Sequence, residues 1–160
     1  MKGKKSVIDA LNTLLTGELS SADQYFIHSR MYENWGLFAL YKRIEHEREE
    51  ELEHAAKLIR RILFLEGIPN VADRRPLKIG ATVPEMLASD LAYELGVVDE
   101  LRKAIALAEK EHDYETRRIL VELLEDTEQD HTLWLEQQLG LIEKMGLKNY
   151  LQSATGHSPS

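Results

Sequence analysis

The sequence predicts an all-α protein: a four-helix bundle with one long crossover and a short fifth helix at the C-terminus. Apolar residues recur at steps of three and four, which places them on one face of a helix. Turn-forming residues divide these stretches into four long segments, and the middle connection is much longer than the other two. At 160 residues, the chain is long enough for one domain with a sizeable core.

Turn residues set the boundaries of the first two helices. We expect the first helix over residues 6–32, followed by a short break at 34–36. The second helix is predicted to run to about Glu66, because Gly67 and Pro69 are typical of a helix end.

The second half of the chain has its own start and stop signals. Thr82 and Glu85 form a capping-box pattern, which predicts the start of the third helix. A break is expected at 112–113, after which the fourth helix runs to about Lys144. A short helix is predicted over 147–153.

Connection lengths predict the topology. The first and last connections are short, so the helices they join must be antiparallel neighbours. The middle connection, residues 68–81, can span ~50 Å when extended, whereas a thirty-residue helix is ~45 Å long. The second and third helices can therefore be parallel. We expect one domain over 1–153 and a flexible tail over 154–160.

Composition excludes several classes of protein. Lys and Arg total 20 against 28 Asp and Glu, which gives a net charge of −8; such a protein attracts cations and binds nucleic acid poorly. The absence of cysteine excludes disulfides and thiolate metal sites and suits a cytoplasmic location. Asp9 and Asn12 argue against a signal peptide, and no apolar stretch approaches the ~20 residues of a membrane span.

Polar residues interrupt the apolar stripes at four places. The second stripe carries Glu51 and His54 in its middle, and the fourth carries Glu128 and His131 at the same spacing. The first and third stripes each carry one carboxylate. The four stripes are Leu11, Leu15, Glu18, Ala22, Tyr25; Leu40, Ile44, Glu47, Glu51, His54, Leu58, Ile62, Leu65; Leu87, Leu91, Glu94, Val98, Leu101, Ile105; and Val121, Leu124, Glu128, His131, Leu135, Leu139, Ile142.

This pattern predicts a metal site in the core. Buried charges need partners, and four carboxylates would repel one another unless two divalent cations neutralised them. Oxygen and nitrogen donors suit Fe(II) or Mn(II), and zinc could also bind. A single Glu-x-x-His pair on a helix is usually structural, as we expect for Glu109 and His112. Two such pairs on inward stripes, each preceded by an inward Glu, favour metal binding instead.

The inventory of one Glu and one Glu-x-x-His in each half is that of the di-iron carboxylate bundles. The sequence resembles the bacterioferritins and closely related bacterial ferritins along almost its whole length. The stretches that carry the resemblance are 14–19, 24–26, 51–55, 61–67, 130–135 and 146–152.

The resemblance implies roles for the six candidate ligands. Glu51 and Glu128 would bridge two irons, Glu18 and Glu94 would be terminal ligands, and His54 and His131 would each bind one iron. Tyr25 is either a packed core tyrosine or a group that bonds a ligand or gives an electron.

The resemblance also implies roles for residues outside the core. His46 and Glu50 are either part of a solvated helix face or an iron site on the inner wall of a protein shell. Asn149 and Gln152 read as surface residues or as the lining of a pore. The family binds haem through a methionine that follows the Glu51 equivalent, but here that residue is Leu52. We therefore expect little or no haem b in the homo-oligomer.

The expected function is iron storage by a ferroxidase subunit with two irons. It would oxidise Fe(II) with O2 or H2O2 and store ferric mineral in a 24-subunit shell, either of one chain or mixed with a haem-binding subunit. The main alternative is another di-metal oxidoreductase on the same bundle, such as a peroxidase or manganese catalase. A non-enzymatic bundle is a second alternative, which failure to bind metal would favour. No nucleic-acid or membrane partner is expected.

Overall fold

The computed structural model describes residues 1–158, and these residues form helices joined by short turns and one long crossover. The elements are α1 (Lys5–Asn34), α2 (Phe38–Phe64), α3 (Val83–Lys110), α4 (Tyr114–Asp126), a π-helical segment (Thr127–Thr132), α5 (Leu133–Met145) and α6 (Leu147–Ser153). The predicted fold class is confirmed, with α4, the π-helical segment and α5 together forming the fourth long helix.

Side-chain caps fix the starts of two helices. The Thr82 hydroxyl accepts a hydrogen bond from the Glu85 amide at 3.3 Å, and the Glu85 carboxylate accepts one from the Ala81 amide at 2.9 Å. Asp113 caps α4 by accepting from the Thr116 amide at 3.1 Å. These contacts satisfy amide groups that have no partner within their own helix.

The crossover runs along α1 in the direction of that helix. Asn12 bonds the backbone carbonyl of Ile68 at 3.0 Å near the start of the crossover. Near its end, the Gly80 amide donates to Nε2 of His28 at 3.2 Å. Because α2 is antiparallel to α1, this path carries the chain back to the start of α2. It therefore makes α3 parallel to α2, as the connection lengths predict.

The core consists of two apolar clusters at different heights along the bundle. The first cluster is Val7, Leu11, Leu14, Leu15, Ala55, Leu58, Ile62, Leu65, Val97, Leu101, Ala104, Leu120 and Leu123. The second cluster is Tyr25, Tyr32, Leu37, Leu40, Ile44, Val83, Met86, Leu87, Leu135, Tyr150 and Ala154. Each long helix passes from one cluster to the other, and the buried residues Glu18, Glu51 and Glu94 lie between the two clusters.

The fourth long helix differs from the predicted stripe. Leu120, Leu123 and Thr127 are buried, whereas Val121 is 39% exposed. The π-helical segment follows at Thr127, and its hydrogen bonds run from i to i+5, so each turn holds more residues than an α turn. Residues three apart therefore no longer share a face there.

The start of the expected tail is held against α2. The carbonyls of Ala154 and Thr155 accept hydrogen bonds from the amides of Ala39 and Phe38, at 3.1 and 2.8 Å. Flexibility of 154–160 stays a prediction, and residues 159–160 lie outside the described residues.

Candidate metal centre

Four elements bring five of the six predicted ligands into one buried site. Glu18 comes from α1, Glu51 and His54 from α2, Glu94 from α3 and His131 from the π-helical segment. Each of these residues is at most 2% exposed. Their shared position follows from the inward stripes, since the spacing of each stripe aims the polar residue into the same layer as its apolar neighbours.

The five residues form two groups that share one carboxylate. Nδ1 of His54 lies 3.4 Å from Glu18 and 3.8 Å from Glu51. Nδ1 of His131 lies 2.9 Å from Glu51 and 3.7 Å from Glu94. In each group the donor atoms lie within 4.8 Å of one another, close enough to surround one metal ion. Two adjacent ions would therefore have Glu51 between them.

The outer nitrogens of the two imidazoles also face carboxylates. Nε2 of His54 lies 3.1 Å from Asp126. Nε2 of His131 lies 2.6 Å from Glu50 and 2.7 Å from Glu47. Both rings thus turn Nδ1 toward the centre and Nε2 toward carboxylates outside it, an arrangement typical of metal-binding histidines.

Burial and the crowding of carboxylates shift the pKa values of several residues in the site. Burial raises the pKa of Glu51 well above its usual value, and the charges of Glu18 and Glu94 raise it further. Burial also acts to raise the pKa of Glu18, but hydrogen bonds with Glu51 and His54 outweigh it, so the pKa of Glu18 is lowered. For His131, the surrounding carboxylates outweigh burial and raise the pKa.

Several buried donor atoms fit a bound cation. Among the described residues, Oε1 of Glu51, Oε2 of Glu94, Oε2 of Glu47 and Nδ1 of His131 are buried and make no hydrogen bond of regular geometry. An unpaired buried polar atom costs about 1–3 kcal/mol, and a metal ion would coordinate three of these four atoms at the centre. An all-oxygen-and-nitrogen donor set of this kind suits divalent iron, manganese or zinc.

The chain is similar to known ferritins along nearly its whole length. The ferritin-like domain matches residues 8–145. The chain is 62% identical to a bacterial ferritin of Paramagnetospirillum magnetotacticum, over 98% of this chain and 96% of that protein. It is 57% identical to a bacterial ferritin of Synechocystis sp., over 96% of this chain and 98% of that protein. A bacterioferritin of Mycolicibacterium paratuberculosis is 38% identical over the full length of both.

The chain belongs to the bacterial ferritin family. Both the predicted family and the predicted fold are confirmed. Among the described residues, no helix is long and apolar enough to cross a membrane.

The sixth predicted ligand of this ferritin lies outside the cluster. One oxygen of Glu128 accepts a hydrogen bond from Arg102 at 2.7 Å, and the Glu128 side chain is 35% exposed. The cause is the π-helical segment, which turns Glu128 away from the face that carries His131. The role of Glu128 as a ligand stays a prediction.

Tyr25 and the pair His46 and Glu50 both contact the centre or its neighbours. The buried Tyr25 hydroxyl donates to Glu94, which is the contact expected of a group that bonds a ligand. His46 lies 2.7 Å from Glu50, and Glu50 in turn bonds His131. That hydrogen bond lowers the pKa of Glu50 to about 2, despite partial burial.

The remaining predicted residues lie on the surface. Asn149 and Gln152 are exposed on α6, where the Asn149 side chain donates to the backbone carbonyl of Met145 at 2.9 Å. Leu52 is 41% exposed on α2. The pore and haem predictions for these residues stay predictions.

Sequence reasoning missed Glu47 and Asp126 as partners of the histidines. Glu47 falls on the inward stripe of the second helix, so its position could have indicated a role. Asp126 gives no such signal, because its direction depends on where α4 meets the π-helical segment.

Proposed function

We propose that this ferritin stores iron and is a ferroxidase subunit, oxidising Fe(II) to Fe(III) at the centre described above. The observation that carries the proposal is the position of Glu51, whose carboxylate faces both His54 and His131. A carboxylate shared by two groups of ligands can hold two iron ions side by side. Two adjacent Fe(II) ions can supply two electrons to O2 or H2O2, the oxidant.

Each protein group has a defined task in this proposal. Glu18 and His54 bind one Fe(II), Glu94 and His131 bind the other, and Glu51 lies between them. Tyr25 holds Glu94 in place through its hydroxyl. Glu128 would act as a further ligand once released from Arg102. The two apolar clusters exclude water from above and below the site.

The pKa shifts in the site support the uptake of divalent cations. The raised pKa values of Glu51 and His131 favour their protonated forms when no metal ion is bound. Two divalent cations that replace these protons bring four positive charges, which match the three central carboxylates Glu18, Glu51 and Glu94 together with Glu128 as the further ligand. The iron-loaded site is then close to neutral.

We further propose that the subunit assembles into a 24-subunit shell, of one chain or mixed with a haem-binding subunit. The outer faces of α1 and α2 support this, since Phe26 and Leu52 are large, apolar and exposed. Within such a shell, His46 and Glu50 would bind iron on the inner wall, and Asn149 and Gln152 would line a pore. We expect the shell to be cytoplasmic.

Stopped-flow absorbance tests the ferroxidase proposal. We expect Glu51→Ala to abolish rapid Fe(II) oxidation, because its loss removes a ligand from both groups. Glu53→Gln, at an exposed position of the same helix, is the matched control and should oxidise Fe(II) at the unmodified rate.

Size exclusion with light scattering on the iron-loaded protein tests storage. A large shell that retains ferric mineral is expected. In the stopped-flow test, fast Fe(II) oxidation by Glu51→Ala would refute the assignment of the ferroxidase site. Fast oxidation without retained mineral would favour a di-metal oxidoreductase of the peroxidase or manganese-catalase type.

A further inference from the structure

We propose that Asp126 is a positioning residue for the metal centre, which holds the His54 ring so that Nδ1 faces the ligand cluster. The inference rests on the proposed function, since it concerns the same centre. It assigns a task to a carboxylate that is not among the six expected ligands.

The two nitrogens of the His54 ring face carboxylates on opposite sides. Oδ2 of Asp126 lies 3.1 Å from Nε2, while Nδ1 on the other side of the ring lies 3.4 Å from Glu18. If Nε2 carries the ring proton and donates it to Asp126, Nδ1 keeps a lone pair on the side of Glu18 and Glu51. That lone pair is what a metal ion needs from a neutral imidazole.

The position of Asp126 allows it to contact the His54 ring but not a metal ion bound to that ring. The group that can surround one ion consists of Glu18, Glu51 and His54, without Asp126. The Asp126 carboxylate lies beyond the far nitrogen of the ring, and its side chain is 52% exposed. It can therefore orient the imidazole without reaching an ion bound at Nδ1.

The orientation of His54 depends on Asp126 more than the orientation of His131 depends on any single carboxylate. Nε2 of His131 has two carboxylate partners, Glu47 and Glu50. Among the described residues, Nε2 of His54 has only Asp126. Loss of that contact leaves Nε2 without a partner, so the ring proton can move to Nδ1, which faces Glu18.

The π-helical segment explains how Asp126 comes to face His54. Asp126 is the last residue of α4 and directly precedes the segment. The wider turn that follows directs Glu128 outward to Arg102. The junction thus presents Asp126 toward α2 and withdraws Glu128.

Anaerobic Co(II) titration, followed by visible absorption and calorimetry, tests the inference. The unmodified protein should bind two Co(II) per subunit. In Asp126→Ala, one of the two should bind about 10–100-fold more weakly, with a changed absorption band for that ion. Asp126→Asn keeps an oxygen acceptor for Nε2 and should lose less affinity than Asp126→Ala. Glu125→Gln removes the neighbouring exposed carboxylate and should bind Co(II) like the unmodified protein.

The outcomes separate this inference from the proposed function. Two Co(II) ions bound to Asp126→Ala with unmodified affinity and spectrum would overturn the inference alone. An equal loss in Glu125→Gln would also overturn it, because the effect would then be one of surface charge. If Asp126→Ala does not fold, as judged by circular dichroism, Asp126→Asn carries the test. No Co(II) binding by the unmodified protein would overturn the proposed function itself.

Discussion

Replacement of Glu51 by Gln should separate the stability of the bundle from its metal binding. Burial, with Glu18 and Glu94 nearby, raises the pKa of Glu51 well above its usual value, which favours the protonated carboxyl group when no metal ion is bound. Glutamine is uncharged and has nearly the same shape as a protonated glutamate. We therefore expect Glu51→Gln to change the metal-free stability by no more than about 1 kcal/mol.

With metal present, the same change should be costly. A ligand that binds only the folded state stabilises it by about 2.7 kcal/mol at a concentration of 100 Kd. Glu51 belongs to both groups of ligands, so its loss weakens the binding of both ions. Together the two ions contribute about 5 kcal/mol to the free energy of unfolding under those conditions. For a chain of this length, 1 kcal/mol shifts Tm by roughly 2–4 °C, so the expected difference is about 10–20 °C.

Anaerobic differential scanning calorimetry with and without Co(II) measures both quantities. The unmodified protein and Glu53→Gln should gain the full shift in Tm, and Glu51→Gln should gain little. An equal metal-induced gain in Glu51→Gln would refute the shared carboxylate. A large loss of stability in the metal-free variant would show instead that Glu51 is ionised and pairs with His131.

Three further predictions concern residues around the site and the assembly. The hydrogen bond from His131 lowers the pKa of Glu50 to about 2. The ionised Glu50 therefore stabilises the folded protein above pH 4.5, its ordinary pKa, and this stabilisation is lost as the pH falls toward 2. Acid titrations followed by circular dichroism should show a smaller loss of stability over this range in Glu50→Gln. The homo-oligomer should bind no haem b with methionine ligation, and Leu52→Met should gain some, as judged by absorption spectra; stoichiometric haem in the unmodified protein would contradict this. Truncation after Met145 removes α6 and should weaken shell assembly more than bundle folding, which light scattering and circular dichroism would compare; an intact shell would contradict it.

The long helices and most of the site can be predicted because they depend on local spacing. Glu18, Glu51, His54 and Glu94 lie on regular α-helices, where steps of three and four residues place them on the inward face. The capping pattern of Thr82 is equally local, and the structure shows it.

The position of Glu128 could not be predicted in the same way. Its assignment to the inward face assumes α-helical geometry up to His131, and a π-helical turn changes which residues share a face. Asp126 depends on the same turn and on a contact with a residue far away in the sequence. Both are consequences of packing between helices, which the spacing within one helix does not encode.

The two apolar clusters stabilise the bundle on either side of the site. They bury large side chains on either side of the polar layer, so most of the hydrophobic stabilisation does not depend on the centre. Within the polar layer, the raised pKa values of Glu51 and His131 favour protonation of both groups, which offsets the charge of the neighbouring carboxylates. Binding of divalent cations must then displace protons, so metal affinity should increase as the pH rises. A centre organised in this way can bind and lose divalent cations without unfolding the bundle, as the proposed ferroxidase function requires.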